Sequence, residues 1–242
     1  MNSIHPSAVL QGPIEMGHGN VIEAGASLIG PISLGNHNYI GPGASIGAIS
    51  RERIESSHRL VEPLPADVSA VVIGDGSMIF DNAVIHKPLL AETRLGDGVE
   101  IGALSMVGHD CRIRDFAILS PRVGLGGYVT VGKWANLGLG SSVHNRLTIG
   151  AFSMSGMSSA IVGHVPPGAL AYGNPARIQG ANRVGMERAG FSADEIGDVL
   201  RRLRGEEISL KPQLSEVFAD YDADRRNWPT SKTEIRWKRR RS

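Results

Sequence analysis

Residues 95–149 read, broken every six residues, LGDGVE-IGALSM-VGHDCR-IRDFAI-LSPRVG-LGGYVT-VGKWAN-LGLGSS-VHNRLT-I, and every block opens on an aliphatic side chain. The same step runs through Ile4, Leu10, Met16, Ile22, Leu28, Leu34, Ile40 and Ile46, and resumes at Ile73, Ile79 and Ile85. Beyond 149 it continues to Ile161, broken only at Ser155. Apolar residues thus hold 22 of 23 positions in a chain that is 41% hydrophobic, so chance is excluded. A period of six fits neither a helix nor an alternating strand. It fits a chain that turns a corner every six residues and points one aliphatic side chain into a narrow shaft. Glycine follows the aliphatic residue at 17, 35, 41, 47, 74, 96, 102, 108, 126, 132, 138 and 150. Gly, Asn or Asp is expected at each corner to supply positive φ. Small residues such as Ala8, Ala26, Ala44, Ala83 and Ala135 precede the aliphatic position by two. Each coil would lie about 4.8 Å from the next, the spacing of paired strands, and would bury a face that no coil buries alone.

Periodicity does not fix the hand of such a solenoid. The aliphatic-Gly-x4 hexad resembles that of the left-handed parallel β-helix of hexapeptide-repeat proteins, in which three hexads make one triangular coil. The resemblance implies seven to eight coils over residues 1–168. Two interruptions, at 48–71 and 86–94, are read as loops inserted at corners, where function often resides.

After Pro166-Pro167-Gly168 the repeat stops, and residues 169–235 are read as a small α-helical domain. Phe191 and the Ser192-x-x-Glu195 pair form a hydrophobic staple and capping box. Ile196, Val199, Leu200 and Leu203 follow at helical spacing up to Gly205. Leu214, Val217, Phe218 and Tyr221 repeat the pattern after Pro212. Residues 236–242 form a basic tail, a candidate patch for an acidic partner.

A net charge of +1 gives no general pull toward nucleic acid or membrane, although residues 1–168 carry −3 and residues 169–242 carry +4. The single cysteine, Cys111, excludes an internal disulfide and suits a reducing compartment. The sequence displays no signal peptide and no run of about 20 apolar residues, and a cytoplasmic protein is expected.

The hexapeptide-repeat class that the chain resembles includes many acyltransferases, and acyl transfer from a thioester requires a base for the nucleophile's proton, a donor for the developing oxyanion and a groove that aligns the partners. The eight histidines are the candidate bases, and no motif argues for a covalent intermediate. An 18-residue coil stacks His109, Gly127 and Asn145 in one column and Gly108, Gly126 and His144 in the next.

His109 stands out because MVGHDCRIRDFAILSPRVGLGGY (106–128), VHNRLTIG (143–150), VPPGALAYGNPARIQGAN (165–182) and GMERAGFSADEI (185–196) together resemble the bacterial acyl-carrier-protein–UDP-N-acetylglucosamine O-acyltransferases of lipid A synthesis. The resemblance covers nearly the whole chain. It implies that His109 is the general base, that Asp110 accompanies it, and that the Gly127 N–H serves the oxyanion. His144 and Asn145 match a His-Gln pair that contacts donor and acceptor, and His86 joins them as a candidate substrate contact. Asn182 and Arg188 match residues that hold the donor phosphopantetheine or the nucleotide. Met157 falls on the position that measures the acyl chain, and its bulk implies a short or medium chain. The resemblance further implies acyl carrier protein as donor, a nucleotide sugar as acceptor, a homotrimer, and no permanently bound cofactor. It departs at the Asp-Leu-Lys-Tyr acceptor-reading loop, replaced here by Arg51-Glu52-Arg53 and the residues after them, at a histidine that is Tyr128 here, and at a glutamate that is Val184.

Three other readings compete. An acetyl-CoA-dependent acetyltransferase of a nucleotide amino sugar would use the same base. A zinc enzyme of the γ-carbonic anhydrase kind needs three converging imidazoles, for which His86 and His109 lack a His-x4-His partner pair, so no metal is expected. A silent scaffold would not need a Gly-His-Asp corner beside an oxyanion glycine.

Overall fold

The computed structural model describes residues 1–51, 70–228, 230 and 232–236. Most of the 48–71 insertion and all of the basic tail beyond Arg236 lie outside the described residues. The repeat forms a left-handed parallel β-solenoid of about 8 turns. Its short strands stack into three parallel sheets of ten, eight and seven strands.

The register is set by the repeat. Met106 pairs with Gly124, and Gly124 with Ser142, a step of 18 residues. The step widens to 22 between Ser77 and Val99, where part of 86–94 is inserted, and to 39 between Asn38 and Ser77, across the 48–71 insertion. Down the shaft, Ile40, Ile79, Ile101, Leu119 and Leu137 are fully buried. Ala44, Ala83, Ala117 and Ala135 fill the narrower columns beside them. Ser155, the exception to the hexad, keeps its hydroxyl satisfied inside the shaft. It accepts from the Gly138 N–H at 3.1 Å and lies 3.3 Å from the Ser141 hydroxyl, so burial leaves no polar atom unpaired.

The corners bear out the reading of the glycines in part. Positive φ falls three residues after the aliphatic position, at Leu104, Asp110, Phe116, Arg122, Tyr128, Trp134, Arg146 and Phe152. The same corner position carries the expected Gly, Asn or Asp at Gly19, Gly25, Gly43, Gly76, Asn82, Gly98, Asp110 and Gly140, so the expectation holds at those corners and fails at the bulkier ones. The glycine directly after the aliphatic residue answers a different need, because a Cβ at Gly132 would stand 2.4 Å from the Ala151 nitrogen of the next coil. That glycine is there for close stacking. The unfavourable left-handed residues are held by the ladder of backbone hydrogen bonds on either side, such as Tyr128 N–H to the His109 carbonyl.

Residues 169–181 also differ from expectation. They are an antiparallel pair, Ala169–Gly173 with Ala176–Ala181, which extends the ten-stranded sheet rather than opening the helical domain. Helices begin at α1 (Arg183–Arg188), followed by α2 (Ala193–Leu203) and α3 (Pro212–Asn227). The Ser192–Glu195 capping box is formed at the start of α2, and Ile196, Val199 and Leu203 are buried beneath it. α3 buries Leu214, Phe218, Tyr221 and Asp224. The Asp224 carboxylate accepts from Arg114 of the solenoid at 2.7 Å.

Beyond α3 the chain returns to the solenoid. The His164 N–H donates to the Thr233 carbonyl, and the Ile235 N–H donates back to the His164 carbonyl. The His164 Nδ1 accepts from the Thr148 N–H at 3.0 Å. Burial, reinforced by Arg225 and opposed by the Lys232 backbone, pushes the His164 imidazole down to about 4. The unfolded chain therefore binds a proton below about 6.5 that the folded chain refuses until about 4. Stability is complete above about 6.5 and falls as pH drops through that window, by about 3 kcal/mol at pH 4. Urea midpoints measured from pH 7 to 4 should show this loss, and His164→Asn should flatten it.

Candidate functional site

The corner between the eight- and seven-stranded sheets carries the residues of chemical interest. His109, Gly127 and Asn145 occupy the same corner position in three successive coils, as the 18-residue step requires. The His109 Nδ1 lies 2.9 Å from Asp110 Oδ2. A carboxylate only accepts, so it takes the Nδ1 hydrogen and leaves the lone pair on Nε2.

Within the 86–94 interruption, His86 and Thr93–Arg94 are strand and the loop between them, residues 87–92, secures Asp110. Its backbone N–H groups at Leu89, Leu90 and Ala91 donate to the Asp110 carboxylate at 2.9, 2.9 and 2.7 Å. Thr93 accepts the Asp110 N–H at 2.9 Å. Burial alone would raise the Asp110 carboxyl. The hydrogen bonds from His109 and from the amides of Ala91, Leu89 and Leu90 outweigh it, and the pKa is lowered. The four-residue excess of this coil thus has a chemical consequence, a charged and fixed partner for the imidazole.

Gly127 lies against the ring. A Cβ there would stand 2.4 Å from His109 Cε1 and 2.5 Å from Nε2. Its N–H meets no hydrogen-bond acceptor among the described residues. At another corner the equivalent N–H groups are capped by the coil above: Asp75 N–H donates to Asp97 at 2.8 Å and Asp97 N–H to Asp115 at 3.2 Å. Asn145 stands where such a carboxylate would be and does not cap Gly127. An N–H with no acceptor among the described residues, beside an imidazole, is suited to receive a developing negative charge.

The remaining residues distribute unevenly. His144 and Asn145 are exposed on the same corner, and the His144 Nδ1 lies 3.2 Å from the Asn145 carbonyl oxygen. His86 ends the strand Val84–His86, which pairs with Met106–Val107 one coil away, and it opens the loop that holds Asp110. Met157 sits at a second corner and is 72% exposed, so one chain does not bring it to His109. Asn182 and Arg188 belong to a third corner. They line a cavity of about 1170 Å³ between the solenoid, α1 and α3, together with Arg114, Lys133 and Phe152. Asn182 has a structural duty there. Its side chain caps α1 by accepting from Gly185 at 3.2 Å and donates to the Phe152 carbonyl at 2.8 Å.

Two features escaped the sequence reading. The Tyr128 ring packs edge-on to His109, with centroids 4.8 Å apart at 86°. Its surroundings also include Trp228, at 4.6 Å, and the Arg146 guanidinium, 4.4 Å from the ring centre. Cys111, next to the site, is inert, since burial pushes its thiol up to about 12. Among the described residues no three His, Cys, Asp or Glu side chains are grouped to hold a metal, and no helix is long and apolar enough to cross a membrane.

The chain is similar to proteins of known name. Residues 165–229 match the family model of UDP-N-acetylglucosamine O-acyltransferase, domain 2. A curated acyl-carrier-protein–UDP-N-acetylglucosamine O-acyltransferase of Burkholderia mallei is 40% identical over 156 residues, 61% of this chain and 60% of that protein. The counterpart from Burkholderia orbicola is 38% identical over 165 residues, 63% of each chain. The resemblance read from the sequence is borne out. The chain spans about three-fifths of the length of these curated relatives. The fold is that of solved relatives. The UDP-N-acetylglucosamine acyltransferase of Campylobacter jejuni superimposes with a TM-score of 0.74 at 23% identity, covering 98% of both chains. That of Francisella novicida gives 0.72 at 22% identity, covering 97% of this chain and 90% of its own.

Proposed function

We propose that the chain transfers a short or medium 3-hydroxyacyl group from acyl carrier protein to a UDP-sugar such as UDP-N-acetylglucosamine, by direct attack with His109 as base. The observation that carries this reading is the His109–Asp110 pair beside the uncommitted Gly127 N–H, in a chain similar to acyltransferases of that name. The His109 Nε2 takes the proton of the acceptor hydroxyl as its oxygen attacks the thioester carbonyl. The Gly127 N–H holds the oxyanion. Collapse of the tetrahedral intermediate breaks the C–S bond, and the imidazolium returns its proton to the departing phosphopantetheine thiolate. Asp110 stays ionised and orients the ring throughout.

The acceptor and donor groove needs a second wall. His109, Met157 and Asn182 occupy three different corners of one triangular prism, so a threefold assembly would set a corner of one copy against another face of its neighbour. In such a homotrimer His144, Asn145, Asn182 and Arg188 would contact donor or nucleotide, and His86 would border the acceptor. Met157 would shorten the acyl slot. The reaction and the lone unpaired cysteine suit the cytoplasm.

Mass spectrometry of a donor–acceptor matrix tests this. Carrier proteins bearing acyl chains of graded length, and acetyl-CoA, are offered with UDP-N-acetylglucosamine and with nucleotide amino sugars. Product from carrier protein and UDP-N-acetylglucosamine, falling with chain length, is expected. Product only from acetyl-CoA and an amino sugar would refute the reading.

A further inference from the structure

We infer that Tyr128 and Trp228 brace the His109 imidazole, so that the C-terminal segment positions the base from outside the solenoid; the inference rests on the reading of His109 as base. The ring is held on three sides. Asp110 fixes Nδ1, the Gly127 backbone lies against one edge, and Tyr128 meets it edge-to-face. The Tyr128 contact restricts the swing of the ring about its hydrogen bond to Asp110. Tyr128 is itself clamped, with Arg146 and Trp228 both packed on its ring.

Among the described residues, the aromatic contact of Trp228 is with Tyr128. Its indole Nε1 is buried with no hydrogen-bond partner among the described residues, so stacking on Tyr128, not hydrogen bonding, accounts for its place. The segment that carries it is anchored on both sides. α3 is tied down by Arg114 to Asp224 at 2.7 Å, and Glu234 beyond it receives Arg225 at 2.9 Å and Tyr221 at 3.2 Å. Residues 233–236 then bond to the backbones of His164 and Ile178. Trp228 therefore lies between two stretches that are hydrogen-bonded to the rest of the fold.

The test uses the full chain with 15N-labelled histidine, the His109 ring resonances being assigned by their loss in His109→Gln. Trp228→Met keeps apolar volume and removes the ring. It should shift the His109 resonances and lower kcat about 10-fold with KM unchanged, since small misplacements of a base are costly. Trp228→Phe should restore both. Tyr128→Leu should do at least as much as Trp228→Met, and the double variant no more than Tyr128→Leu, because the two side chains act in series. Should Trp228→Met not fold, Tyr128→Leu read against Tyr128→Phe decides the matter by the same two signals. Unmoved resonances and full kcat in a folded Trp228→Met or Tyr128→Leu protein would overturn the brace alone. Resonances that move in a protein whose wild type transfers no acyl group would support the brace and overturn the function proposed above.

Discussion

His109→Gln is expected to lower kcat by about 10²–10⁴-fold while leaving the thermal midpoint nearly unchanged, because general-base assistance contributes on that scale. Glutamine has a similar reach and can still hydrogen-bond Asp110, but it has no lone pair basic enough to take a hydroxyl proton at neutral pH. The side chain it replaces lies outside the shaft, so the solenoid core is untouched. Asp110→Asn should act through the same atom by another route. An asparagine can donate where the carboxylate only accepts, which lets the imidazole place its proton on Nε2, the wrong nitrogen for a base. It would also leave the amides of Leu89, Leu90 and Ala91 facing a weaker acceptor. Single-turnover rates with carrier-protein thioester and UDP-N-acetylglucosamine would separate these losses from changes in product release. A His109→Gln protein that retains full rate would remove the base from the mechanism.

The parts of this site that the sequence displays are those written in the repeat. A step of six placed every inward aliphatic residue, and 18 residues per coil placed His109 over Gly127. Capping of α2 was legible because Ser192 and Glu195 carry it in their side chains. What stayed hidden is made of backbone or of distant contacts. The nest around Asp110 uses three main-chain N–H groups, which have no residue signature; the only hint was a four-residue slip in the register. The two duties of glycine could not be told apart for a similar reason. Spacing shows where a small residue is needed, but not whether the need is for positive φ or for the approach of a neighbouring coil. Residues 169–181 were assigned to the helical domain because the hexad had ended, whereas the sheet continued by antiparallel pairing, which follows no period of six. Trp228 meets Tyr128 across about a hundred residues of sequence, and no local pattern announces that.

Gly127→Ala tests the geometry of the site with a single methyl group. Gly127 has no positive φ, so alanine meets no backbone strain there, and the solenoid should fold as before. The added Cβ would nevertheless stand 2.4 Å from His109 Cε1 and 2.5 Å from Nε2, well inside van der Waals contact. The coil's backbone is locked on both sides, by Arg146 N–H to the Gly127 carbonyl and by Tyr128 N–H to the His109 carbonyl. The imidazole is therefore the part that must give. Turning it away either breaks the 2.9 Å contact with Asp110 or presses it into Tyr128. Displacement of the base by about 1 Å, beside a partly shielded oxyanion donor, should lower kcat by about 10²–10³-fold. Gly124→Ala is the matched control, since a Cβ there meets nothing within 4 Å. The two variants should melt alike, and only the first should lose activity. Equal activity in both would mean that the ring does not work from the position it holds over Gly127.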